Sequence, residues 1–339
     1  MLTYTAKSKN LKEENTMLKK LSPLFCAVLL GGCIVHVDSN ANEQHTELTR
    51  SLTLSSHNLN QINIDNRAGD IIVTGKSGID EIKVTAHIIT FENRSYTFSL
   101  DSAGDHANLI AKHDPHVGVL WYTNKSPRID IEVQVPKALF VNVEDGSGEM
   151  NIRDVKGVSI DDSSGHITLK NIFGKTQITD GSGDISIDDI KGNVSIDDDS
   201  GDISISAVSG NIEIEDGSGD IEIIKGAKVS IEDDSGDIRI KQVTGIISLE
   251  DGSGEIDIDG AQALNVKDDS GDIEVKNIRG NVEITDGSGS IWVNRTKGHV
   301  VIADGSGDIN VSDSQQLEIR DDTSGDVTVS NVKKVIELD

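Results

Sequence analysis

The string Asp-(Gly/Asp/Ser)-Ser-Gly begins at Asp145, Asp162, Asp180, Asp198, Asp216, Asp233, Asp251, Asp268, Asp286 and Asp304, and every spacing is 17 or 18 residues. An eleventh copy, Asp321-Asp322-Thr323-Ser324-Gly325, carries one extra residue. A period this regular restricts the chain to repeat architectures, in which each unit is one supersecondary element that must stack on its neighbours. Within a unit the apolar residues alternate, as in Val229/Ile231 before the turn and Ile221/Ile223 after it. That is the period of a strand with one buried face, not of a helix. A further aliphatic often follows (Ile172, Ile190, Val208, Val243, Ile278), then a Gly two residues later (Gly174, Gly192, Gly210, Gly245, Gly280). Each unit therefore reads as two short strands and two corners.

Two folds use such a pattern. An antiparallel meander places all the aliphatics on one face and needs a second layer that the repeat does not supply. A parallel β-helix, or β-solenoid, with one coil of about 18 residues per unit buries them against each other inside the coil and stacks identical residues in columns roughly 4.8 Å apart. The constant period favours the solenoid. No Pro occurs after Pro136, as a ladder that uses every backbone N–H requires. The expected class is all-β: regular solenoid repeats over residues 141–339, preceded by irregular β coils over 58–140 and a signal peptide.

The charge follows the same division. The chain has 58 Asp and Glu against 31 Lys and Arg, a formal charge of −27. Residues 141–339 hold 43 of the acids and 17 of the bases. Such a balance argues against nucleic acid as a partner. Aromatic residues make up 3% of the chain, too few for a conventional enzyme core.

The N-terminal region reads as an address. Met17 opens a short basic stretch (Lys19, Lys20), followed by the apolar run Leu21 to Leu30 and then Gly31-Gly32-Cys33. Basic, then apolar, then small residues is the order of an export signal, and the run is too short for a permanent membrane span. The Leu30-Gly31-Gly32-Cys33 ending resembles a bacterial lipobox, which implies a signal peptide over 17–32, cleavage before Cys33 and lipidation of that residue. Residues 1–16 are polar and read as an extension from a start assigned too early. Cys26 leaves with the signal, so the mature chain has no disulfide. Because Ile34 and not Asp follows Cys33, the resemblance implies the outer membrane, periplasmic or surface-facing, with residues 33–57 as lipid anchor and polar tether.

The repeats resemble a known family. The Ser-Gly-Asp-Ile-x-Ile units Ser200 to Ile205, Ser218 to Ile223 and Ser235 to Ile240 are similar to a bacterial candidate-adhesin domain of unknown function that is predicted to form a β-helix. Ile62 to Val73 resembles a worn copy of the unit, and Leu100 to Asp105 another. Ile129 to Pro136 resembles the strand that leads such domains into their regular coils. The resemblance spans roughly residues 58–339 and brings no catalytic residues with it.

Turn chemistry explains most of the repeated string. Gly suits positive φ, and Asp and Ser bond nearby backbone N–H groups. The residue after the second Gly is acidic in nine of eleven copies, with His166 and Ser290 departing. Stacked like charges repel by about 0.9 kcal/mol per pair even in water. Solvent or Ca2+ can relieve this, and the 18-residue period is similar to that of calcium-binding β-rolls, although their Gly-Gly-x-Gly-x-Asp turn is missing. The candidate cation ligands are Asp180, Asp184, Asp198, Asp202, Asp216, Asp220, Asp233, Asp237, Asp251 and Glu255.

No nucleophile elbow, zincin motif or phosphate-binding loop is present. His113-Asp114-Pro115-His116 reads as a Pro turn, and Trp121-Tyr122 as a packing pair. The expected function is a non-enzymatic cell-envelope lipoprotein, an adhesin-like binding or scaffold module attached to the membrane through its N-terminal lipid. The alternatives are a protein that self-associates through its coil ends and a Ca2+-binding repeat protein, with a polysaccharide-acting enzyme fitting least.

Overall fold

A computed structural model describes residues 4–5, 35–36, 45–91, 94–114 and 126–337. Every element among these residues is a strand or a turn, and none is a helix. The chain divides into two units, Met1–Glu149 and Met150–Asp339.

In the second unit, strands preceding the Asp-x-Ser-Gly turn pair in parallel with one another, and so do the strands following it. Val194–Asp198 lies between Thr176–Asp180 and Ile212–Asp216, with Ile196 opposite Ile178 and Ile214. Ile203–Val208 lies between Ile185–Ile190 and Ile221–Ile224, with Ile205 opposite Ile187 and Ile223. Each strand thus bonds to its counterpart one coil away, which is the parallel β-solenoid that the period predicts. The alternating residues are inward: Ile196, Ile205, Ile214, Ile223, Ile231 and Ile240 are all at most 2% exposed. Aliphatic columns fill the coil, and because each coil is only one strand deep they are buried by the coils on either side.

The first unit is less regular. Besides the two-residue strands Tyr4–Thr5 and Val35–His36, its strands are β1 (His45–Ser55), β2 (Gln61–Asn66), β3 (Ile71–Lys76), β4 (Glu81–Phe91), β5 (Tyr96–Ala103), β6 (His106–His113), β7 (Arg128–Pro136) and β8 (Phe140–Asp145). They form two stacks. One runs β5, β6, β2, β8, antiparallel at its first junction and parallel at the next two. The other runs β1, β4, β7, β3, antiparallel at its first two junctions and parallel at the last. The coil made by β2 and β3 follows the repeat pattern: Gly69 has φ +124°, and Ile62, Ile64, Ile71 and Val73 are buried. The later pair β6 and β7 lies on one side of that coil, and the chain then returns as β8 to its other side.

Two readings of this region change. Leu100 to Asp105 is a hairpin and not a solenoid corner. Ala103 faces His106 across the two residues Gly104 and Asp105, and Gly104 has φ +65°, as a tight antiparallel reversal requires. Residues 45–55, assigned by composition to the tether, are β1, whose eleven residues all pair with β4. Its Leu48, Leu52 and Leu54 alternate with polar residues, a strand pattern that the polar composition hides. Strand β7 ends at Pro136 beside Lys76, as expected for the lead-in. The segment 17–32 read as a signal peptide, which contains Cys26, and the following Cys33, together with Pro115, His116 and Trp121-Tyr122, lie outside the described residues.

Candidate functional site

The candidate site is the acidic corner of the second unit. Period two decides which way its carboxyls point. In Val229-Ser230-Ile231-Glu232-Asp233 the inward set is Val229, Ile231 and Asp233, so the first Asp of the turn enters the coil behind two aliphatics. Asp162, Asp180, Asp198, Asp216, Asp233, Asp251, Asp268, Asp286 and Asp304 are all 2–6% exposed. They pair in register from coil to coil, as with Asp180 opposite Asp162 and Asp198. In each, Oδ1 accepts the N–H of the Ser two residues on, for example Ser235 to Asp233 at 3.2 Å and Ser253 to Asp251 at 3.1 Å. This is the Asx turn expected from the sequence. In each, Oδ2 is buried and has no hydrogen-bond partner among the described residues.

A dry column of nine carboxyls cannot be fully ionised. At the roughly 4.8 Å spacing of stacked strands, two adjacent charges repel by about 3.5 kcal/mol at an effective dielectric constant of 20. Burial, reinforced by the neighbouring carboxylates, pushes Asp180, Asp233 and Asp268 up to about 7. Burial likewise raises Asp198, Asp216 and Asp286 to about 6. Asp162, Asp251 and Asp304 are raised for the same reason. Protonation of part of the column removes this repulsion and the cost of burying the charge.

The acid after the second Gly forms a separate, solvent-facing column. Its carboxylates are held by backbone: the N–H of Asp220 donates to Oδ1 of Asp202 at 3.0 Å, that of Asp237 to Asp220 at 3.0 Å, and that of Glu255 to Asp237 at 3.1 Å. Ser290 keeps the link by donating its N–H to Asp272 at 2.9 Å, and His166 keeps it by accepting the Asp184 N–H at 3.1 Å. Repulsion between stacked acids is thus offset by a backbone dipole wherever the acceptor is an Asp (Asp184, Asp202, Asp220, Asp237, Asp272 and Asp308), a device that period and composition do not reveal. The ten candidate cation ligands fall into these two columns, Asp180, Asp198, Asp216, Asp233 and Asp251 inside and Asp184, Asp202, Asp220, Asp237 and Glu255 outside. Among the described residues no group of three or more His, Cys, Asp or Glu side chains is placed to hold a metal ion.

The second Gly of the turn fixes the backbone between the columns. Gly219 has φ +144°, and a Cβ on it would lie 2.0 Å from the carbonyl oxygen of Gly201 in the preceding coil. Both facts exclude any other residue without a local rearrangement.

A parallel β-solenoid with one Asp-x-Ser-Gly corner per coil is the class of protein that this geometry defines. The matched segments 111–250 and 224–338 place the chain in the Toastrack DUF4097 family, to which it belongs. Solved structures similar to it include a candidate cell adhesion protein from Clostridium sporogenes, at 10% identity and TM-score 0.28 over 65% of this chain and 98% of that one. A candidate adhesin from Bacteroides fragilis matches at 14% identity and TM-score 0.23, over 86% and 96% of the two chains. Another from Parabacteroides distasonis matches at 12% identity and TM-score 0.23, over 86% and 97%. No curated protein matches the sequence.

Proposed function

We propose that this protein is a non-enzymatic binding module of the bacterial cell envelope, anchored by lipid on Cys33 and presenting the solenoid as an extended adhesive surface. The observation that carries this reading is the in-register repetition of outward side chains. Positions Ser195, Glu213, Ser230 and Ser248 follow one another along one column, and Asp197, Glu215, Glu232 and Glu250 along the next. A surface that repeats its chemistry coil after coil suits an extended or multivalent ligand better than a single reacting centre, which needs unlike groups converging on one point. The lipobox resemblance supports the anchor.

The test has two parts. Metabolic labelling with a fatty acid should mark the wild type and not Cys33→Ala. Protease added to intact cells should degrade the anchored protein. Protection of the whole population until the outer membrane is permeabilised would defeat the adhesive reading and favour an envelope scaffold. Self-association through coil ends makes a different forecast, namely species larger than the monomer in sedimentation.

A further inference from the structure

The corner opposite the acidic one has its own column. One residue there takes positive φ (Asp189 +58°, Ala207 +57°, Lys225 +67°, Gln242 +60°), and the next points inward. The inward residues Ile172, Ile190, Val208, Val243 and Ile278 are buried and close this side of the core. Gly226 interrupts them. Its carbonyl accepts the Thr244 N–H as that of Ile190 accepts the Ser209 N–H, so Gly226 occupies the same position in the column. A Cβ built on it would approach the core side chains Ile212 and Val229 at 3.0 and 3.4 Å. Two coils further on, the small Ala261 takes that position, its carbonyl accepting the Arg279 N–H. The coils opening at Asp216 and Asp251 are also 17 residues long and shortened at this corner, as is the coil opening at Asp145, which keeps the buried Val155 there.

The missing side chains and the shortened loops leave an open groove of about 920 Å³. Lys225, Lys241 and Arg279 line it, and none of the three forms an ion pair with another described residue. Elsewhere in this unit Lys170, Lys191 and Lys267 are paired with acids, to Asp188, Asp189 and Glu250 respectively, while Lys156, Lys228, Arg295 and Lys297 form no ion pair with a described residue either, so what sets the groove apart is that three such bases line one opening. The one carboxylate lining the groove, Asp259, is engaged by the side-chain amide of Asn277. The other lining groups include the hydroxyls of Ser209 and Thr244 and the amide of Gln242.

We infer that this groove is a binding site for an acidic oligosaccharide, with Lys225, Lys241 and Arg279 taking its anionic groups and the hydroxyl and amide side chains taking its sugar hydroxyls. The inference deepens the adhesive reading, from which it takes an extended ligand, while the site and the acidic, hydroxyl-rich chemistry of the ligand stand on the groove's own side chains. On a chain of net charge −27 a polyanion is repelled at long range, so non-specific adsorption cannot supply the attraction. Three unpaired cations at a gap in an otherwise regular wall can do so at close quarters. Lys is a strongly hydrated point charge and Arg a planar fork, a mixture that suits carboxylated as well as phosphorylated sugars.

The experiment is calorimetric titration of the full-length protein in detergent with oligogalacturonate, phosphorylated mannan fragments and, as neutral control, dextran oligomers. At least one of the anionic probes should bind and dextran should not. Lys225→Ala/Lys241→Ala/Arg279→Ala should weaken binding at least tenfold at unchanged melting temperature. Lys225→Arg/Lys241→Arg/Arg279→Lys should restore it. Replacing the paired bases Lys170, Lys191 and Lys267 by Ala should leave affinity within twofold. Equal affinity of wild type and the first triple variant, equal loss in the paired-base control, or no binding of either anionic probe would each overturn the inference. These failures leave the adhesive reading to stand or fall on its protease and labelling tests, which do not involve the groove.

Discussion

At the scale of single residues, the inner aspartates set the protein's response to pH. Their folded pKa values lie above the ordinary carboxylate value, so the folded state binds more protons than the unfolded one. Their contribution to stability is fully present below about pH 4 and is lost as pH rises through the values near 6 and 7 reached by Asp198, Asp216, Asp286, Asp180, Asp233 and Asp268. The acids facing them from adjoining positions and coils, among them Asp199, Asp202, Asp234 and Asp272, reinforce the effect. The melting temperature should therefore be higher at pH 5 than at pH 8. Asp233→Asn should raise it at pH 8 and flatten the pH dependence, whereas an unchanged profile would show that the column is fully ionised. The amide fits such a corner, because Asn66 occupies the equivalent place in the first unit. There its Nδ2 donates to the carbonyl of Ile129 at 3.2 Å and its Oδ1 accepts the Arg67 N–H at 2.9 Å. The Asx role of these residues was legible in the sequence. Their inward direction was also available, because Val229, Ile231 and Asp233 share one parity, but reading the acids only as turn formers hid it.

At the scale of the element, the corner divides into an inner carboxyl that caps its own turn and an outer one that caps the next coil. Asp233→Ala leaves the half-buried Ser235 N–H without its acceptor and should cost about 1–3 kcal/mol at pH 5, where the neighbouring repulsion that it also removes is smallest. Asp220→Ala frees an exposed Asp237 N–H that water can satisfy and should cost about 0.5–1 kcal/mol. Urea unfolding of both variants compares them directly. Gly219→Val should lower stability by more than the exposed substitution Glu222→Ala, since it adds both positive-φ strain and a clash with Gly201; equal effects would contradict the corner geometry. Strand positions were readable from alternation. The hairpin at Gly104 was not, because Ala-Gly-Asp serves a tight antiparallel reversal as readily as a solenoid corner, and only the pairing of β5 with β6 separates the two. The groove at Gly226 carried a sequence signal too, the 17-residue spacings, but a spacing shows that a residue is missing and not which corner loses it.

At the scale of the whole molecule, the period was the decisive clue, since a near-constant repeat of strand pairs leaves few ways to bury aliphatics without a second layer. The antiparallel strands of the first unit escaped it because they do not repeat. In the second unit each coil bonds only to its neighbours, so coils should be interchangeable. Deleting residues 199–216, one full period, should preserve the strand signature in circular dichroism and a cooperative melt at a somewhat lower temperature. Deleting 199–207 removes the first turn and half of the coil and should yield an aggregated chain. Similar behaviour of the two deletions would refute a register-based core.

The interruption at Gly226 has a consequence for recognition along such a surface. A repeating ligand laid on uniform columns meets the same contacts after sliding by one coil, so every register is equivalent and none is preferred. A single gap in the wall, flanked by Lys225 and Lys241, removes that degeneracy: it turns a graduated scale into one with a marked zero.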